Sequence, residues 1–264
     1  MRVLILLALT LACFFVSVGN GSAQTGQRAY ASDAETDRWR GVGLLAIGDG
    51  VCTGVLIASD LVLTAAHCVA DYTKKTITRT SEITFYAGLR DRTATAARKA
   101  AKVAIHPGYF SAKGGYSEAR IRTDVAQIRL DRPISSKAAQ SYPIFFTPSV
   151  GARIALVGYS GNRLDRVSVQ APCRLLERKA EFLRSSCLSE PGASGSPIFA
   201  LQANGDAQIV ALNTGSRQQR SQQYGLGLTL DHVRDWLATQ GAQPIANGFK
   251  RVTPEADGFK RVKP

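Results

Sequence analysis

The sequence predicts an all-β fold, and three observations carry that expectation. Short apolar runs bounded by turn residues recur from Gly41 to about Pro133 and again from about residue 148 to 230. In Asp124–Leu130, Ala126, Ile128 and Leu130 alternate with Gln127 and Arg129, the period of a half-buried strand. The chain has 264 residues, and a removable N-terminus would leave roughly 220 to 240, enough for one large all-β protein or two small barrels.

Met1-Arg2, the apolar run Val3–Val18 and the small residues Gly21-Ser22-Ala23 read as a secretory signal peptide over residues 1–23. An uncleaved anchor of about 16 residues is too short to span comfortably. Lipidation at Cys13 is disfavoured by the apolar Phe14-Phe15-Val16 that follows. Residues 24–40 are polar and charged without a sustained apolar pattern, and read as a linker or pro-segment.

The first set of strands is expected at Gly41–Ile47, Cys52–Ala58, Leu61–Thr64, Ile83–Ala87, Lys102–His106 and Asp124–Leu130. Ile134–Thr147 crosses to a second set that includes Arg153–Tyr159, Arg174–Leu176, Pro197–Leu201, Gln208–Leu212 and Gly227–Leu230. Asp231 can cap a helix over 231–240 whose apolar face is Val233, Trp236 and Leu237. The tail, 241–264, carries Gly-Phe-Lys-Arg-Val twice, at 248–252 and 258–262, and reads as disordered or as a tether to an anionic surface.

Gly192-Ala193-Ser194-Gly195-Ser196-Pro197 puts a serine between two glycines, a turn that exposes a hydroxyl beside free backbone N–H groups. An alkanol nucleophile needs a base, and the chain offers His67, His106 and His232. His67 stands out, because it ends the β-rich run Leu61–Thr64 and precedes Cys68; His106 and His232 read as surface histidines. A third group must hold the imidazole, and Asp124 at the head of its strand suits the role, with Asp131 and Asp91 as alternatives.

These segments, in the order His, Asp, Ser, make the chain similar to the chymotrypsin-like (trypsin-fold) serine proteases. Ser196 after Gly195 resembles the bacterial glutamyl endopeptidase branch. The resemblance implies two six-stranded antiparallel β-barrels and a C-terminal helix, within a protease domain over 41–240. It implies catalysis by His67, Asp124 and Ser194, with the N–H groups of Gly192 and Ser194 as oxyanion hole. Cys13 leaves with the signal, and the four remaining cysteines allow three pairings. The resemblance implies Cys52 with Cys68 and Cys173 with Cys187, each closing a loop worth roughly 3 kcal/mol. No CxxC spacing suggests zinc.

The departures from the family pattern are informative. Ala193 replaces the aspartate that receives a new N-terminal ammonium in animal trypsins, and no Ile-Val-Gly-Gly start occurs near residue 40. Activity is therefore expected not to need a unique N-terminus. Leu188 stands where trypsin has its specificity aspartate, followed by Ser189 and Glu190, and Asn213 stands where the glutamyl branch has its glutamate-reading histidine. Leu188, Ser189, Asn213 and Gly215 form the expected substrate pocket, with the preferred residue left open.

The expected function is a secreted (extracellular or periplasmic) serine endopeptidase acting on protein or peptide substrates as a monomer, with no cofactor or metal. The alternative is an inactive homologue that binds an anionic or protein partner. A base near the usual histidine pKa of about 6.5 implies activity at neutral to mildly alkaline pH. The net charge of +13, with clusters at Arg90, Arg92, Arg98, Lys99, Lys102 and from Arg174 to Arg184, would attract anionic partners. No nucleic-acid-binding motif accompanies it, and no transmembrane anchor is expected.

Overall fold

The computed structural model describes residues 28–113, 117–202, 206–219 and 221–240. Six strands close the first barrel: β2 (Val42–Ile47), β3 (Gly50–Ala58), β4 (Leu61–Thr64), β7 (Ile83–Ala87), β8 (Ala96–Ile105) and β9 (Ala126–Leu130), in the order β2-β3-β4-β9-β8-β7. Two short strands, β5 (Ala70–Asp71) and β6 (Thr76–Ile77), pair outside it. Val62, Phe85 and Ile128 fill its interior at 0% exposure, as the alternation along each strand requires.

The second barrel is built from β10 (Arg153–Ser160), β11 (Arg163–Arg178), β12 (Phe182–Ser185), β13 (Pro197–Leu201), β14 (Ala207–Gln219) and β15 (Gln222–Thr229). They run β11-β10-β13-β14-β15-β12, and pairing of β12 back onto β11 closes the ring. The segment between the barrels is stitched to both, since Tyr142 donates its N–H to Leu56 and Phe145 donates to Ile209.

Several expectations need correction. Residues 28–39, read as linker or pro-segment, are part of the fold: β1 (Arg28–Tyr30) pairs with β11, and α1 (Asp33–Arg38) follows. Ser32 and Glu35 close a reciprocal capping box on that helix. Trp39, 3% exposed, then packs 5.0 Å from Phe199 and 6.2 Å from Tyr142. β11 extends well beyond the expected Arg174–Leu176, because its inward Ser168 and Gln170 hide the alternation. Both are satisfied inside, Ser168 Oγ donating to Gly158 O and Gln170 Oε1 accepting from Leu188 N.

The terminal helix is split into a 3-10 turn, Asp231–Val233, and α4 (Arg234–Thr239). Asp231 does not cap it; its carboxylate accepts from Thr147 N–H and Arg178 Nη2 instead. This helix covers the outer face of β9, so Gln127 is buried and donates Nε2–H to Leu237 O, while Arg129 Nη2 reaches Gln240 O. No helix among the described residues is long and apolar enough to cross a membrane. The signal peptide and the repeat-bearing tail expected from sequence lie outside the described residues.

Candidate active site

β4 and β9 are antiparallel neighbours with Thr64 opposite Ala126, so the chain leaving β4 and the chain entering β9 emerge at one end. His67 sits three residues beyond Thr64, in the short helix α2 (Ala66–Val69). Asp124 sits two residues before β9, in the turn after α3 (Glu118–Ile121), rather than on the strand itself. Its carboxylate is 2% exposed and grips His67 twice, accepting the backbone N–H at Oδ1 (2.8 Å) and facing Nδ1 with Oδ2 (2.7 Å). A carboxylate can only accept here, so Nδ1 carries the proton and Nε2 is left basic. Asp131 and Asp91 lie elsewhere: Asp131 faces Arg132, and Asp91 pairs with Arg166.

Burial alone would push His67 below its ordinary pKa, and the nearby Arg120 guanidinium acts in the same direction. The charge and hydrogen bond of Asp124 outweigh both and leave the imidazole above 6.5. The Cys52–Cys68 disulfide, with Cα atoms 6.2 Å apart, clamps the residue after His67 to β3. Cys52, His67 and Cys68 cluster closely, but the disulfide consumes both sulfurs as metal donors. The second disulfide joins Cys173 and Cys187 as the resemblance implies.

The Gly192–Ser196 turn comes from the second barrel and presses against the histidine segment. Gly195, at φ +76°, has space for no side chain: a Cβ would lie 2.2 Å from Thr64 Oγ1 and 2.5 Å from Thr53 O. Gly192, at φ +91°, lies in the left-handed region that a glycine tolerates without strain. Within the turn, Ala193 N–H donates to Glu190 O, Gly195 N–H to Asn213 O and Ser196 N–H to Ala193 O. Among the described residues the N–H groups of Gly192 and Ser194 have no acceptor, and these two residues are partly exposed while Ala193 and Gly195 are buried. Two open donors, one on the serine itself and one two residues before it, can receive a developing oxyanion.

Residues 52–211, more than half of the sequence, match the trypsin-like peptidase domain family. The chain belongs to that family. Among curated relatives, this trypsin-like chain is 26% identical to Serine protease 23 of Macaca mulatta and 25% identical to Serine protease 23 of Homo sapiens. Each alignment covers 77% of this chain and 53% of the relative, so the chain spans about half the length of the curated relatives it matches. A solved structure of a Glu endopeptidase in complex with MPD superposes with TM-score 0.69 at 19% identity, over 84% of this chain and 99% of that one. That likeness establishes the two-barrel, chymotrypsin-like fold.

The expected pocket residues of the trypsin-like domain gather behind the turn. Asn213, 1% exposed, donates Nδ2–H to Ala193 O and to Ser189 Oγ, both at 2.8 Å. Its brace on the turn, through side chain and backbone together, was not legible in sequence, where only a pocket role suggested itself. Leu188 is half-buried and tied through its N–H to Gln170, and Gly215 follows a bulge in β14. Glu190 turns toward Ser160 (3.2 Å) and Arg163 (3.7 Å).

Of the two other histidines, His232 is exposed, as the sequence suggests, while His106 is not a plain surface residue. His106 is half-buried against Trp236, with ring centroids 5.6 Å apart, and its pKa is lowered by burial and by His232. His232 Nε2 meets Arg122 O at 2.6 Å, which helps seat the terminal helix on the loop before β9. Of the basic clusters, Arg184 pairs with Glu177 and Arg178 with Asp231.

Proposed function

We propose that the protein is a secreted serine endopeptidase that hydrolyses peptide bonds through Ser194, His67 and Asp124. The observation that carries the reading is the 2.7 Å contact of His67 Nδ1 with Asp124, which leaves Nε2 unprotonated as the base. In this reading Ser194 Oγ attacks the scissile carbonyl as Nε2 takes its proton. The tetrahedral oxyanion accepts from Gly192 and Ser194 N–H, each donor worth about 10² to 10³ in turnover. Collapse expels the amine, protonated by His67, and leaves an acyl-enzyme on Ser194. Water, activated by the same Nε2, then releases the acid.

The absence of an aspartate at Ala193 supports activity without zymogen-type N-terminal insertion, because Asn213 and Thr53 hold the turn instead. Secretion is supported by the two disulfides and by the signal-like sequence of residues 1–23. The test is hydrolysis of a mixed peptide library by the oxidised protein. Cleavage abolished in both Ser194→Ala and His67→Ala is the expected result; cleavage that persists in either variant would overturn the assignment. Folded protein that cleaves nothing would favour the binding homologue.

A further inference from the structure

Asn213, Ser189 and Ser216 form a hydrogen-bond cluster beside the Ser194 turn, joined to it at Ala193 O. The amide orientation of Asn213 is set by its partner, since Ala193 O can only accept and must face Nδ2. The second Nδ2 hydrogen goes to Ser189 Oγ. Both donors of Asn213 are thus committed, and among the described residues nothing donates to its Oδ1. Ser189 shows the complementary pattern. Its N–H donates to Ser216 Oγ (2.5 Å), Ser216 Oγ–H returns to Ser189 O (3.3 Å), and Ser189 Oγ accepts from Asn213. The Ser189 hydroxyl hydrogen has no acceptor among the described residues.

We infer that this cluster is a carboxamide-reading subsite that selects glutamine, or the shorter asparagine, on the acyl side of the scissile bond. One open acceptor beside one open donor matches the NH₂ and C=O of a primary amide. A carboxylate has only acceptors and would set an oxygen against Asn213 Oδ1. A lysine or arginine has only donors and would find Leu188 where an acid would be needed, with Glu190 held by Ser160 and Arg163. An apolar side chain would leave Oδ1 of the buried Asn213 unpaired.

The inference rests on the reading of Ser194 as nucleophile, and the experiment separates the two. Active sites are first counted by fluorophosphonate labelling, and kcat/KM is then measured on peptides that differ only in Gln, Glu, Lys, Phe or Ala at the acyl-side position. Gln above Glu by about tenfold or more is expected, the value of one well-matched hydrogen bond at roughly 1.4 kcal/mol. Labelled protein that prefers Glu, Lys or Phe overturns the carboxamide subsite and leaves the endopeptidase standing. Protein that neither labels nor cleaves overturns both. Ser189→Ala should cost about tenfold on the Gln peptide and far less on the Ala peptide; an equal loss on both would mean that Ser189 only supports the loop.

Discussion

Thr53 in β3 donates its backbone N–H to the carbonyl of Ser194 at 2.9 Å, so the first barrel holds the serine turn of the second directly. Its buried side chain reinforces the bond: Oγ1 donates to Gly192 O at 3.1 Å and accepts from Tyr159 N–H at 3.0 Å. The neighbouring Cys52 is bonded to Cys68, next to His67. One short stretch of β3 therefore registers both halves of the site.

Thr53→Val keeps the shape and removes both side-chain bonds. It should cost about 1–3 kcal/mol in stability by leaving buried groups unpaired. Turnover should fall more than KM rises, because the turn loses its registration. Steady-state kinetics beside thermal denaturation check this, and a variant with wild-type turnover would refute it.

The raised pKa of His67 sets the pH behaviour. Nε2 must be unprotonated to act, so the acid limb of kcat/KM should lie above pH 6.5, with activity rising toward alkaline pH. The stability linkage has the opposite sign. Folding that raises the pKa of a histidine contributes stability fully below about pH 6.5, and that contribution is lost as pH rises through the folded value. Arg120→Gln removes a cation that opposes protonation and should move the acid limb up further. A limb at or below 6.5 in the parent protein would contradict the assignment.

Asp124→Asn should lower turnover by roughly 10⁴-fold, because the amide can stabilise the wrong imidazole tautomer. It should also drop the His67 pKa, since the two effects that raise it come from Asp124. Turnover is read from peptide cleavage and the pKa from imidazole proton shifts, and an unmoved pKa would contradict the coupling.

Gly195→Ala must strain a φ of +76° and drive a methyl into Thr64 Oγ1 and Thr53 O. A loss of about 2 kcal/mol or more is expected, with turnover abolished because Ser194 moves with its neighbour. Thermal denaturation and cleavage kinetics measure both, and wild-type values would refute the tight approach.

The N-terminal segment corrects a sequence expectation in a testable way. Activity is expected not to need a unique N-terminus, but chains that begin past Trp39 lose β1, α1 and a ring that packs on Phe199. Such chains should melt well below chains starting at Gln24, and Trp39→Ala alone should cost about 3–5 kcal/mol. Equal melting temperatures would contradict the docking.

The histidine, aspartate and serine segments were legible because each couples a strand pattern to a chemical signature: Leu61–Thr64 before His67, the alternation after Asp124, and glycines around Ser194. The first barrel was legible for the same reason, except that β8 begins at Ala96, six residues before the expected Lys102. What escaped was apolar packing carried by few residues in polar surroundings. Residues 28–39 hold one buried tryptophan behind a Ser32–Glu35 capping box, and β11 turns Ser168 and Gln170 inward. β12, only Phe182–Ser185, is too short to show a period. The role of Asn213 escaped because it depends on hydrogen bonds between residues far apart in sequence, to Ala193 and Ser189.

The central claim is that Ser194 is a nucleophile activated by His67. Its most direct test is fluorophosphonate labelling of the folded, disulfide-intact protein, with the adduct mapped by mass spectrometry. A single adduct on Ser194, lost in Ser194→Ala and strongly slowed in His67→Ala, is the predicted result. No adduct in protein whose disulfides are intact, or labelling that ignores His67→Ala, would contradict it.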